Sequence, residues 1–549
     1  MSREIITTAE VLERTVDTHG EGIAQRTPAG EERTWAQTRE LVHRLAGGLR
    51  SLGVARGQTV ATMLVNRPEF LLVDMAAVFA GGTPMSIYVT SPVAEIAYLL
   101  DDAAVRVVVT EARFEPVLRE AVARATVDPH VIVLADAGAE GLSPLLDACP
   151  AGWNGQVAAR AVSLDDVAVM VYTSGTTGAP KGVQLTHRNL QATWRAADSV
   201  DPRVAQARRI ISYLPPAHIA DRLWGYLVPL RTGATITYLA DPRQIVATMA
   251  EVRPSVFLGV PRIWEKLRAM LMGLDIDDPA ELRARLGLDA DTVSMTGAAP
   301  LDVEVLDFFE RIGAPILEVY GMTETSGVIS GNRVGRSKPG TVGFPFAGVE
   351  VKVAPDGEIL VRGEDVLMLG YRGQPSKTAE TIGADGWLRT GDIGDIDEDG
   401  MITIVDRKKE VIITSGGKNI SPANIENLIR SATHLAGPVM ALGDRRAYVT
   451  AIVSLDPDES RAWAAAHGRD GADPAELAGD PQLRAVIADA VEQANRQLAR
   501  PAQVKRFAIV GEPWDAASGV VTPTLKLKRR VAADRYAAEI ERLYAEERR

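Results

Sequence analysis

The chain is 549 residues long, carries 60 Lys and Arg against 72 Asp and Glu for a net charge of −12, and is 46% hydrophobic. So acidic a chain argues against a protein that grips a nucleic-acid backbone, while leaving room for a local basic or amide-lined pocket that holds ATP phosphates. A single cysteine, Cys149, excludes an intrachain disulfide and fits a reducing compartment; it sits in DACPAGW, a loop pattern, and is not read as a catalytic thiol.

From the N-terminus, MSREIITTAEVLERTV is charged and lacks a continuous apolar core, so it does not read as a signal peptide. No run of about 18 or more apolar residues occurs, so no membrane span is expected. A cytoplasmic setting is expected, with peripheral membrane contact left open. Leu41 to Leu52 has helical apolar spacing and stops at Gly53, and Thr59 to Val65 predicts a strand. Phe70 to Phe79 predicts a helix ahead of Gly81 and Gly82; Arg106 to Thr110 and Val131 to Leu134 predict short strands. This alternation up to about residue 400 predicts an α/β fold with largely parallel, buried strands. Composition then shifts in DIDEDGMITIVDRKKE, which places a boundary at Asp406 to Lys409 and separates 1–405 from 410–549. The second part holds a helix start at SPANIENLIR, strands around Tyr448 to Ser454 and a polar helical stretch near 476–498, enough for a small α+β domain.

The densest chemical signal is VAVMVYTSGTTGAPKGVQL, Val167 to Leu185. An apolar strand runs into Thr173, Ser174, Gly175, Thr176, Thr177 and Gly178, followed by Lys181. Glycines let backbone amides approach an anion closely, hydroxyls add donors, and Lys181 adds a point charge. Together they suit a polyphosphate, although the spacing is not the Walker pattern. In ILEVYGMTET, Ile316 to Thr325, a strand ends at Tyr320 and Gly321, and Thr323 and Glu324 follow; a Glu beside a phosphate loop suits Mg²⁺, which prefers hard oxygen ligands. WLRTGD ends at Asp392, whose carboxylate is acceptor-rich enough for a diol. Asp395, Asp397 and Asp399 lack the spacing of an EF-hand and read as a solvated turn. DRKKE contains Arg407 and Lys409, SGGKN contains Gly416 and Gly417, and VTPTLKLKRR contains Lys526 and Lys528.

YTSGTTGAPKG resembles the signature loop of the superfamily of acyl-CoA synthetases, peptide-synthetase adenylation domains and firefly-type luciferases, and the other motifs follow in register over nearly the whole chain. The resemblance implies a large N-terminal domain of α/β subdomains and a small mobile C-terminal α+β domain, with the hinge at Lys409. It implies ATP, Mg²⁺ and coenzyme A as the reaction partners of a carboxylic acid. Thr323 would bond the α-phosphate, Tyr320 would stack on adenine, and Gly297, Ala298 and Ala299 of TGAAP would line the adenine and acyl pocket. Asp392 would hold the ribose, Arg407 the ribose or phosphate, and Glu324 with Thr173 the metal. Gly416 and Gly417 would line the pantetheine tunnel. Lys526 matches the catalytic lysine that offsets repulsion between carboxylate and α-phosphate. His218 in SYLPPAHIADR and Gly259 in FLGVPRIW fall at the acyl pocket, and FLGVPRIW, NRPEF and DRKKEVIITSGGKNISP resemble the long-chain fatty acyl branch. The expected product is acyl-CoA. The rivals are an acyl-AMP ligase loading a carrier-protein phosphopantetheine, a luciferase-like oxygenase and a non-enzymatic ATP sensor. No carrier domain is evident, nothing indicates oxygen access, and Lys526 and Glu324, which a sensor would be expected to lose, are both present.

Overall fold

The computed structural model describes residues 5–27, 29–135, 141–173, 179–289, 291–413, 419–444, 446–515, 518–522 and 526–545. The first helix, Thr8–His19, starts at a capping box: the Thr7 amide donates to Glu10 Oε2 at 2.8 Å and the Glu10 amide donates to Thr7 Oγ1 at 3.2 Å. The same device, with Thr34 and Gln37, starts Trp35–Ser51 several residues ahead of the apolar periodicity seen from Leu41. Pro68 at the first turn sets the start of Pro68–Phe79, a helix buried on all sides, as its near-continuous apolar sequence requires.

Seven strands form the largest sheet, in the order Gly370–Tyr371, Lys181–Thr186, Val167–Thr173, Thr83–Ser86, Thr59–Met63, Val105–Glu111, His130–Leu134. From Val167–Thr173 onward the pairs are parallel. Lys181–Thr186 turns back antiparallel, with Thr173 opposite Lys181. A second sheet runs Val256–Gly259, Val293–Thr296, Ile316–Tyr320, parallel, then adds two short antiparallel strands. The sheet Glu350–Val353, Glu358–Arg362, Leu388–Ile396, Ile402–Arg407 is antiparallel throughout, within the mixed α/β fold expected. At two of its three pairs the turns explain this: Gly357 at φ 84° and Gly400 at φ 83° close short connections that only antiparallel neighbours permit.

One large apolar core spans Ala9 to Ile402. Separate cores take over from Ile412 to Val504 and from Met440 to Ile540, around the sheet Ala436–Leu442, Val449–Leu455, Val504–Val510. At the junction Asp406 reaches forward: its Oδ2 accepts from Ser421 Oγ at 2.5 Å and from the Ala423 amide at 3.1 Å, at the start of the helix Pro422–Ala432. Among the described residues, no helix is long and apolar enough to cross a membrane.

Candidate active site

The residues expected at the phosphates lie at the ends of two sheet strands. Thr173 ends one strand and Lys181 begins the next; residues 174–178, and with them Ser174, Gly175, Thr176, Thr177 and Gly178, lie outside the described residues. Tyr98 donates its hydroxyl to the Pro180 carbonyl at 3.0 Å, fixing the far limb of the loop. Lys181 Nζ stands 4.3 Å from the centroid of the Tyr371 ring. Burial holds its ammonium below the ordinary lysine range, while Glu324 pulls the other way. Glu324 and Thr323 are buried in the single turn Thr323–Thr325, and Tyr371 donates its hydroxyl to Glu324 Oε1 at 2.9 Å. Only glycine fits at 321, since a Cβ there would stand 2.2 Å from the Gly327 carbonyl oxygen. Among the described residues, no group of three or more His, Cys, Asp or Glu gathers as a metal cage. A single carboxylate nonetheless fits Mg²⁺, which shares its shell with substrate phosphates and water.

At the nucleoside end, the Tyr320 hydroxyl donates to Asp392 Oδ2, and Arg407 Nε meets Asp392 Oδ1 at 2.9 Å. Asp392 lies opposite Arg407 in the strand register, so the pair is set by the sheet. Burial raises the Asp392 carboxyl above its ordinary range, with Arg407 and Tyr320 opposing. Burial lowers the Arg407 guanidinium, but Asp392, Tyr320 and Glu324 outweigh it and the net shift is upward. Gly297, Ala298 and Ala299 follow the strand Val293–Thr296, and Ala298 and Ala299 are exposed. Ala298 is held at φ 70°, a left-handed conformation that costs an alanine energy and that the surrounding structure enforces.

Lys526 belongs to the C-terminal part. Its amide donates to Thr522 Oγ1 at 3.0 Å and its carbonyl accepts from the Thr522 amide at 2.8 Å, with Val521 bridged to Leu527. Lys526 is exposed. Burial lowers its pKa, Arg407 lowers it further, and Asp392, Glu324 and Glu410 pull upward. Its charge also acts on His218 and Asp392. Lys528, by contrast, adjoins the helix Arg529–Arg535, its amide bonded to the Val520 carbonyl at 2.8 Å. Burial and the Lys526 charge push His218 down to about 4, so its imidazole is neutral at pH 7. Its Nδ1 accepts from the Ala220 amide at 3.1 Å, which leaves the proton on Nε2 as a donor.

The remaining candidates separate from this cluster. Gly259 is buried against Trp264: its carbonyl accepts from the indole N–H at 3.1 Å, and a Cβ would stand 2.5 Å from that nitrogen. Packing therefore accounts for this glycine, although its neighbour Leu258 lines a water-sized cavity of about 10 Å³ with Tyr213, Leu214 and Trp224. Lys409 is exposed in the turn after Ile402–Arg407, and its charge acts on Lys181. Gly416 and Gly417 lie outside the described residues. Asp397 accepts from the Asp399 and Met401 amides and pairs with Lys338 at 2.8 Å, a turn as expected. Sequence reasoning misses Tyr371, because a lone Gly-Tyr pair has no periodic or motif signal of its own. It also misses the buried pair of Arg222 and Asp74, 2.9 Å apart.

The described geometry brings the Glu324 carboxylate, the Asp392–Arg407 pair and Lys181 into one charged neighbourhood with Lys526. Comparison with known proteins agrees. A model described as AMP-binding enzyme matches residues 12–372, and one described as AMP-binding enzyme C-terminal domain matches 409–548. A putative fatty-acid–CoA ligase, fadD11 of Mycobacterium tuberculosis, is 43% identical over 434 residues, covering 71% of this chain and 76% of the relative. The long-chain-fatty-acid–CoA ligase FadD15 of Mycobacterium bovis is 32% identical over 559 residues, covering 94% and 92%. Among solved structures, ATP-bound MatB from Rhodopseudomonas palustris superposes with a TM-score of 0.75 at 26% identity, covering 96% of this chain and 99% of that one. The chain belongs to the AMP-binding enzyme family.

Proposed function

We propose that this protein is an AMP-forming acid–thiol ligase that activates a medium- to long-chain fatty acid with ATP and then hands the acyl group to coenzyme A. In the first half-reaction a carboxylate oxygen attacks the α-phosphorus of ATP, the bond to the β-phosphate breaks, and pyrophosphate leaves. In the second, the CoA thiol attacks the acyl carbon and AMP leaves with the bonding electrons. Residues 1–405 bind ATP, metal and acid, 410–549 carry Lys526, and the chain turns at 406–409.

The observation that carries this reading is the charge cluster around Lys526. The Lys526 charge acts on His218, on the expected acyl side, and Arg407, Asp392 and Glu324, on the expected nucleotide side, act on Lys526. Two anions have to meet there, and a cation brought to that place offsets their repulsion. Asp392 holds the ribose, with Tyr320 and Arg407 fixing its oxygens. Thr323 and the loop from Thr173 to Lys181 bind phosphate. When bound, Mg²⁺ neutralises phosphate charge, and Glu324 with Thr173 would hold it. His218 stays neutral and offers its Nε2 proton without adding charge beside an apolar acyl chain. The fatty acyl class is supported by the names of the relatives, fatty-acid–CoA ligases at 43% and 32% identity.

The test is acid-dependent ATP–pyrophosphate exchange together with CoA-dependent AMP release, screened over short-, medium- and long-chain acids. Both activities should peak with medium or long chains. Exchange without CoA-dependent AMP release, accompanied by loading of a phosphopantetheinyl carrier protein, would favour the acyl-AMP ligase reading instead.

A further inference from the structure

Tyr371 touches both halves of the phosphate apparatus, and the reaction outlined above assigns it nothing. Its hydroxyl donates to Glu324 Oε1 at 2.9 Å, and its ring lies 4.3 Å from Lys181 Nζ. The side chain is 5% exposed. The backbone around it is fixed as firmly: Tyr371 pairs with Val183 across the sheet, its amide donates to Thr378 Oγ1 at 2.9 Å, and the Arg372 amide donates to the Gly182 carbonyl at 2.8 Å. Gly370, at φ 152°, lets the chain reach this place, where a Cβ would stand 3.0 Å from Thr378.

We propose that Tyr371 is a positioning residue that sets Glu324 toward the metal and Lys181 toward the ATP phosphates as one aligned unit. The inference rests on the reading of Glu324 as the metal carboxylate. A buried carboxylate can rotate about its own side chain; a hydroxyl bonded to Oε1 fixes that rotation and leaves Oε2 for a cation, the usual work of a partner one shell out from a metal. A lysine over an aromatic face keeps its charge while its position becomes fixed. No other described contact joins these two groups through a single side chain. A ring on a paired strand does so with little freedom to lose on binding.

The two contacts separate by substitution. Tyr371→Phe removes the hydroxyl and keeps the ring; Tyr371→Leu removes both. The measurement is calorimetric binding of ATP to the full chain, without acid, in Mg²⁺ and in EDTA. Wild type should bind ATP more tightly with Mg²⁺. Tyr371→Phe should keep the metal-free affinity within about twofold and lose about tenfold of the Mg²⁺-dependent gain, the scale of a lost bond to a charged group. Tyr371→Leu should also weaken metal-free binding several-fold. Excess Mg²⁺ should restore pyrophosphate exchange in the Phe variant, which loss of folded protein would not allow. A wild-type Mg²⁺ gain in Tyr371→Phe overturns the proposal. Glu324→Gln separates the causes: if it abolishes the gain while Tyr371→Phe does not, only the role of Tyr371 fails. If Glu324→Gln leaves the gain intact, the metal reading fails and the proposal with it.

Discussion

Single side chains decide the chemistry here. Lys526→Ala should reduce acyl-adenylate formation by about 10²–10³, the value of one preorganised electrostatic group. Thioester formation from supplied acyl-adenylate should be largely spared, and Lys528→Ala should leave both steps intact. Separate assays of the two half-reactions check this; equal losses in both would refute the assignment. Histidines set a pH dependence of a different kind. The His187 Nδ1 accepts from the Thr8 amide at 3.2 Å, and burial pushes its pKa down to about 4. An unfolded histidine titrates near 6.5, so on acidification the unfolded chain takes up this proton first. The contribution is whole above about pH 6.5 and is lost as the pH falls toward 4, on the order of 3 kcal/mol for this residue. Denaturant titrations across that window should show stability falling with acid, and more shallowly for His187→Asn; identical slopes would contradict it. Residues inside the named motifs were legible in the sequence because phosphate and diol chemistry demand particular groups at short spacing. Tyr371 was not, because its value comes from a contact with Glu324 across 47 positions of chain.

Among the elements, the proposed function rests on the antiparallel pair Val167–Thr173 and Lys181–Thr186 and on the segment 406–409. The first strand was legible as an apolar run; its antiparallel partner was not, because KGVQLT looks like the tail of a loop until pairing buries Val183 and Leu185. Lys409→Pro fixes φ near −65° and removes an N–H in the exposed turn that joins the two parts. Adenylation should survive at a substantial fraction of normal, and CoA-dependent turnover should collapse. Parallel loss of both, or of neither, would place the pivot elsewhere. A second contact crosses the same divide: Arg262, in Pro261–Met272, pairs with Asp456 Oδ2. The other oxygen of Asp456 caps Pro457–Ala466, accepting from the Asp458 and Glu459 amides at 3.0 and 3.1 Å. Asp456→Asn keeps a cap and removes the ion pair. It should slow adenylation by at most about fivefold, the ceiling for a pair half open to water, and leave the thioester step unchanged. Half-reaction rates at low and high salt test this, since the difference should vanish in salt.

The whole molecule combines a large α/β body, whose core ends at Ile402, with a smaller unit whose core begins at Ile412. That division was legible in DRKKE, where apolar patterning gives way to charge. The juxtaposition was legible only through the family resemblance, because periodicity and composition are local and say nothing about how the Lys526 charge comes to act on Asp392 and His218 across more than a hundred residues. The net charge of −12 leaves the cleft itself to gather cations, and Lys181, Arg407 and Lys526 do so. The most direct test of the account is a single-turnover experiment with a long-chain fatty acid, ATP and Mg²⁺, run with and without CoA. Without CoA the acid should appear as acyl-adenylate, with pyrophosphate in equal amount; adding CoA should convert it to acyl-CoA and AMP. Absence of acid-dependent pyrophosphate release across all chain lengths, from correctly folded protein, would contradict the account.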